Sequence, residues 1–212
     1  MEKFAIFDMD GTLTESMGVW KESYKALLER YHLQPRPEVN EAMNSTTPYE
    51  GAAMMVREYG LPLTPEELLA EIKALVAEGY SRAPLKPGAR RVLEEMQSGG
   101  VKMCIKSSTS QDLVLPMVQR LDIAKYFAFT DSCRDGHTKA TPEPYLEAME
   151  KLGASDPGQV VVFEDAWHGV KNAKLGGFRV VAIEDSYAAD HKAEIIETAD
   201  QYITCWDEFV VE

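Results

Sequence analysis

Apolar residues gather in short blocks along the chain: Phe4–Phe7, Val101–Ile105, Phe127–Phe129, Val160–Phe163 and Val180–Ile183. Blocks of this length are too brief for an ordinary helix. They also lack the alternation of a half-exposed strand, so they read as strands buried on both faces. Segments of helical period separate most of them. In "GARRVLEEMQSGG", Val92, Leu93 and Met96 share one face, and Gly99-Gly100 stops the helix. In "TPEPYLEAMEKLG", Thr141 is the expected N-cap, Pro142 the first helical residue and Gly153 the terminator. Pro116, inside the pattern after Ser110, should kink or shorten its helix. Strand–helix alternation predicts an α/β fold with a parallel, doubly wound sheet.

One interval breaks the rhythm. Residues 15–81 contain no convincing strand. "VWKESYKALLERY" places Trp20, Tyr24, Leu27, Leu28 and Tyr31 on one helical face. "TPEELLAEIKALVAEGY" opens on a capping box of Thr64 and Glu67 around Pro65, then aligns Leu68, Leu69, Ile72, Leu75 and Val76. This reads as a helical domain, residues 15–81, inserted into a core made of residues 1–14 and 82–212. The chain would return near Leu85-Lys86-Pro87-Gly88, with hinges near residues 14–17 and 81–86.

Composition narrows the class. The chain has 212 residues, 45% of them hydrophobic and 27% charged, as in an ordinary globular protein. Its net charge of −13 argues against nonspecific nucleic-acid binding and against a polybasic membrane contact. No stretch approaches the roughly 18 apolar residues of a membrane span, and the first residues lack a signal-peptide pattern. Cys104, Cys133 and Cys205 show no CxxC spacing. A cytoplasmic protein acting as a monomer is the default expectation.

In a parallel sheet, ligands bind beyond the carboxyl ends of the strands. The first strand delivers Asp8 and Asp10 in "FAIFDMDGTLTES". The strand at 101–105 delivers Lys106, Ser107, Ser108 and Thr109, and the strand at 160–163 delivers Glu164 and Asp165. Four carboxylates so gathered repel one another unless a cation sits among them. Oxygen ligands favour a hard ion, and magnesium suits a site shared with phosphate oxygens.

"DMDGTL", "MCIKSS", the lysine of "HTKATPEPYLEA" and "VVFEDAWHGV", in that order, resemble the haloacid dehalogenase-like hydrolase superfamily. The resemblance covers the core from both ends and implies a Rossmann-like core, with the helical insert standing where type I caps stand. It further implies that Asp8 is a nucleophile forming an aspartyl-phosphate, and that Asp10 is general acid for the leaving alcohol, then base for water. Magnesium would be held by Asp8, Asp165, the backbone carbonyl of Asp10 and an assisting Glu164. Ser107 and Lys139 would contact the phosphoryl oxygens. Ser108 and Lys106 stay open as alternatives, since boundaries slip by a residue and Ala140 follows Lys139 where the family has proline. Gly11 and Thr12 would turn the chain and offer backbone amides. Met17, Trp20, Lys21, Arg57 and Arg82 are candidates for substrate contact.

A second acid at position 10 favours phosphate-ester chemistry, because dehalogenating and carbon–phosphorus-cleaving members generally lack it. "EDAWHG" departs from the family's "EDS-P-N-G" and loses a hydroxyl near the metal. His168 reads as a packing residue of that loop. The expected activity is magnesium-dependent hydrolysis of a small phosphorylated metabolite. A sugar-phosphate mutase is the nearest alternative. It is disfavoured because position 20 is Trp, where β-phosphoglucomutases carry a histidine. A response-regulator-like phosphoacceptor would have no long helical insert. A noncatalytic binding protein would show a broken first motif.

Overall fold

The chain is described from a computed structural model at residues 3–43 and 46–211. Strand β1 (Phe4–Phe7) is central in a sheet with β2 (Lys102–Ser107), β3 (Phe127–Ser132), β4 (Val160–Glu164), β5 (Arg179–Ile183) and β6 (Gln201–Ile203). Their spatial order is β3-β2-β1-β4-β5-β6, and every pairing is parallel. Phe7 stands level with Ile105 on one side and Phe163 on the other. The residues that follow these three therefore emerge together at one edge.

Side chains alternate across a strand, and the core divides accordingly. Ala5, Phe7, Met103, Ile105, Val161 and Phe163 face one cluster, shared with helices α5 (Ala89–Ser98) and α6 (Gln111–Arg120). Ile6, Cys104, Val160 and Val162 face the other, with α7 (Glu143–Leu152) and α8 (Trp167–Leu175). A last helix, α9 (Lys192–Thr198), precedes β6. No helix among the described residues is long and apolar enough to cross a membrane.

Between β1 and α5 come helices α1 (Met17–Arg30), α2 (Pro37–Met43), α3 (Pro48–Tyr59) and α4 (Pro65–Tyr80). Both α3 and α4 begin with a capping box and a proline in the first turn. The flanking segments are bonded to each other: Glu15 N–H donates to Pro84 O at 3.0 Å, and Lys86 N–H to Leu13 O at 2.9 Å. On the far side, Thr47 Oγ1 donates to Asp135 Oδ1 at 2.6 Å, and Gly136 N–H to Glu50 Oε1 at 2.8 Å.

Several expectations are corrected. Of the two outcomes expected at Pro116, shortening is not seen: helix α6 runs through it to Arg120. Proline removes one hydrogen bond there, while Leu113, Val114, Met117 and Val118 are buried and hold the helix down. Helix α7 starts one residue later than expected, with Pro142 rather than Thr141 at its N-cap. Strands β2 and β3 extend to Ser107 and Ser132 because their ladder continues past the apolar residues.

Candidate active site

Beyond β1 the ladder persists for one residue, Asp8 N–H donating to Phe163 O at 3.0 Å. The chain then folds back, Leu13 and Thr14 N–H both reaching Met9 O. Gly11 makes the fold possible. Its φ is +84°, and a β-carbon there would lie 2.3 Å from Asp165 Oδ2 and 2.9 Å from Met17 Cγ. No other residue fits so close an approach. A β-carbon on Gly169, in α8, would likewise lie 2.5 Å from the Glu164 carboxyl.

The first half of the site is ionic. Oxygens of Asp8, Glu164 and Asp165, all buried, lie within 4.8 Å of one another. The Lys139 ammonium donates to Asp8 Oδ1 and, at 2.6 Å, to Glu164 Oε1. The lysine is itself held, its carbonyl accepting from Asn172 Nδ2 at 2.9 Å. Tyr145 Oη donates to Glu164 Oε1 at 2.7 Å, and Thr12 Oγ1 to Asp165 Oδ1 at 3.0 Å. Burial pushes Asp8 up from the ordinary 3.8 to about 6; Lys139 opposes the rise and Glu164 adds to it. Asp165 is driven well above the usual carboxylate range by burial and then by the charges of Asp8, Glu164 and Asp185. Burial works against the Lys139 charge, but Asp8 and Glu164 outweigh it and raise the ammonium. Lys139 thus pairs with two of the three buried carboxylates gathered here. An all-oxygen donor set short of positive charge is what a hard divalent cation such as magnesium fits.

The second half is built of hydroxyls. Ser16 Oγ donates to Asp10 Oδ1 at 2.6 Å, Tyr80 Oη donates to the same oxygen, and Thr109 Oγ1 donates to Oδ2 at 2.8 Å. Trp20 Nε1 donates in turn to Tyr80 Oη at 3.0 Å. Burial and then the charge of Asp8 raise the Asp10 carboxyl, and the hydroxyls pull it back down.

The remaining candidates divide. Ser107 is buried, its Oγ accepting from Thr109 N–H at 3.0 Å, while Ser108 is half-buried. Lys106 is turned to Asp131 Oδ2 at 2.9 Å and Ser132 O, so Lys139 is the lysine that reaches Asp8. Met17 lies against Gly11, and Trp20 reaches the site through Tyr80. Arg57 is exposed and paired with its neighbour Glu58 at 2.8 Å. The carbonyl of His168 accepts from Asn172 within α8. Ser16, Tyr80, Tyr145 and Asn172 join the site without a signal in the sequence, whereas Thr109 stands among the residues that the strand at 101–105 is expected to deliver.

A family model for haloacid dehalogenase-like hydrolases matches residues 3–177. The chain belongs to that family. It is an enzyme, a phosphoric monoester hydrolase. It is 32% identical over 194 residues to a phosphorylated carbohydrates phosphatase of Thermotoga maritima, covering 88% of this chain and 84% of the relative. Its fold matches CbbY of Rhodobacter sphaeroides in complex with phosphate, at a TM-score of 0.84 and 20% identity over 98% of this chain and 96% of that one. It likewise matches a beta-phosphoglucomutase of Clostridium difficile, at 0.82 and 18% identity over 99% and 94%.

Proposed function

We propose that this hydrolase removes phosphate from a small phosphorylated metabolite through an aspartyl-phosphate on Asp8. The observation that carries the reading is the difference between two carboxylates only two residues apart: Asp8 touches Lys139 among the buried acids, while Asp10 accepts from the hydroxyls of Ser16, Tyr80 and Thr109. An Asp8 oxygen attacks phosphorus as the bond to the leaving oxygen breaks, and Asp10 gives that oxygen its proton. Asp10, now a carboxylate, takes a proton from water, whose oxygen displaces Asp8 from phosphorus. Ser107 and Lys139 donate to the phosphoryl oxygens as charge develops on them. Asp8, Asp165, the Asp10 carbonyl and Glu164 would hold magnesium, which when bound supplies positive charge beside those oxygens.

The relative of Thermotoga maritima, named for phosphorylated carbohydrates, supports a phosphorylated metabolite as substrate. Residues 15–81 act as a cap on a core of 1–14 and 82–212, with residues 1, 2, 44, 45 and 212 outside the described set. The cap turns on the paired segments near 14–17 and 81–86. Gly11, Thr12, Met17 and Trp20 are assigned to substrate contact.

The test is phosphate release from glycerol phosphate, sugar phosphates, phosphoglycolate and nucleoside monophosphates, with magnesium and with chelator. Magnesium-dependent release that falls at least about 10⁴-fold in Asp8→Asn is the expected result. Interconversion of sugar-phosphate isomers without release would replace hydrolysis by a mutase reaction.

A further inference from the structure

Tyr80 ends α4 and belongs to the inserted helices, yet its phenol is aimed at the chemistry. The residue is 3% exposed, and its Oη donates to Asp10 Oδ1. The same oxygen accepts the Trp20 indole N–H at 3.0 Å, and the two rings meet edge to face, 6.4 Å apart at 81°. A phenol has one proton to give. With Trp20 occupying a lone pair, that proton is directed onto the carboxylate. The third neighbour, Thr109 Oγ1, is 3.4 Å from the phenol and itself donates to the other Asp10 oxygen.

We infer that Tyr80 is a positioning residue for the reaction: its phenol, oriented by Trp20, holds the Asp10 carboxyl where it can exchange a proton with the leaving oxygen. This rests on the proposed role of Asp10. A tyrosine that merely fills space would be replaced by phenylalanine at no cost to the chemistry. One that sets Asp10 would be missed only when a proton must be delivered.

Leaving-group dependence reads that difference. The substrates are the alkyl phosphate turned over fastest in the panel and p-nitrophenyl phosphate, whose phenolate leaves without protonation. Rates are taken for the first step, phosphorylation of Asp8, by rapid mixing. Tyr80→Phe is expected to slow that step roughly 10-fold to 100-fold on the alkyl phosphate. It should do so with KM unchanged, and slow p-nitrophenyl phosphate less than about 2-fold. Trp20→Phe, which keeps an aromatic ring and removes the N–H, should give a smaller loss of the same kind. Tyr80→Phe added to Asp10→Asn should cost nothing more. Equal losses on both substrates, or an additive double variant, would overturn the inference. Should Tyr80→Phe not fold, Trp20→Phe decides by the same ratio. Asp10→Asn separates the two readings: leaving-group dependence there but not in Tyr80→Phe or Trp20→Phe removes Tyr80 alone. None in any variant removes the role of Asp10, and this one with it.

Discussion

Asp8 and Asp10 belong to one loop, the first buried and the second half-buried, but they are held by opposite chemistries. Asp8 sits among charges: an ammonium at hydrogen-bonding distance and two further carboxylates within 4.8 Å. Asp10 sits among neutral hydroxyls from Ser16, Tyr80 and Thr109. An ammonium only donates, so Lys139 satisfies Asp8 in its ionised form alone. A hydroxyl can turn and accept, so the Ser16 and Thr109 groups around Asp10 suit the acid as well as the carboxylate. The first arrangement suits a group that must stay ionised to attack. The second suits a group that gains and loses a proton in each turnover.

Removing the cation from the ionic half should give the largest effect that distinguishes the two. In Lys139→Met, the carboxylates of Asp8 and Glu164 lose their shared partner while still buried. Breaking a buried pair in this way costs about 3–5 kcal/mol of stability, and losing a charge that faces the phosphoryl group costs on the order of 10²–10³ in kcat. Chemical denaturation and steady-state kinetics measure the two. A variant that unfolds with the parent would mean that water or ions already share the load of Lys139.

The pH dependence of stability comes next. In metal-free protein the folded Asp8 carboxyl titrates at about 6, against an ordinary 3.8. Between those values the folded state holds a proton that the unfolded chain has lost. Stability therefore declines as pH rises from about 4 through about 6 and then levels off. Asp165, shifted the same way, adds to the decline. Magnesium held as proposed would bind the ionised carboxylates, so its stabilisation should grow as they lose their protons. Melting curves at pH 5 and 7.5, with chelator and with magnesium, are expected to show a gain in Tm several degrees larger at the higher pH. Asp165→Asn should abolish most of that gain. Asp10→Asn should keep it, since only the Asp10 backbone carbonyl is assigned to the metal.

The ionic half was legible in the sequence for a physical reason. Its three carboxylates stand at the ends of apolar strands, so the strand pattern alone carries Asp8, Glu164 and Asp165 to one edge, whereas Lys139, in the loop between β3 and α7, was indicated only by the family resemblance. Strands of four or five buried apolar residues announce themselves; β6 does not, because only Ile203 of its three residues is fully buried. Helices α2 and α3 were missed for a related reason. Among the described residues of α2 Val39 is the buried one, and α3 turns inward on Gly51, Ala52 and Met55, two of them too small to mark a face. The hydroxyl half was nearly invisible. Tyr80 closes the hydrophobic face of α4, where a tyrosine reads as core, and it lies 70 residues from its partner. Ser16 stands at the N-cap position of α1. In the structure its hydroxyl makes no capping bond and donates to Asp10 instead.

Two threonines provide the finest division between the halves. Thr12 Oγ1 supports the ionic side by donating to Asp165 Oδ1, and Thr109 Oγ1 supports the hydroxyl side by donating to Asp10 Oδ2. Both residues are buried, and valine matches threonine in shape while removing the donor. Thr12→Val should weaken magnesium affinity by about 10-fold, as expected when a metal-binding carboxylate loses a neighbour that orients it. The preference between alkyl and p-nitrophenyl leaving groups should not change. Thr109→Val should do the reverse, leaving the magnesium titration in place and slowing alkyl phosphates selectively by a few-fold. Titrating magnesium against rate for both esters in both variants gives the four numbers required. If either threonine moved both quantities together, the carboxylates would form one coupled network, and their separation by neighbour chemistry would no longer support assigning both a nucleophile and a proton carrier to one loop.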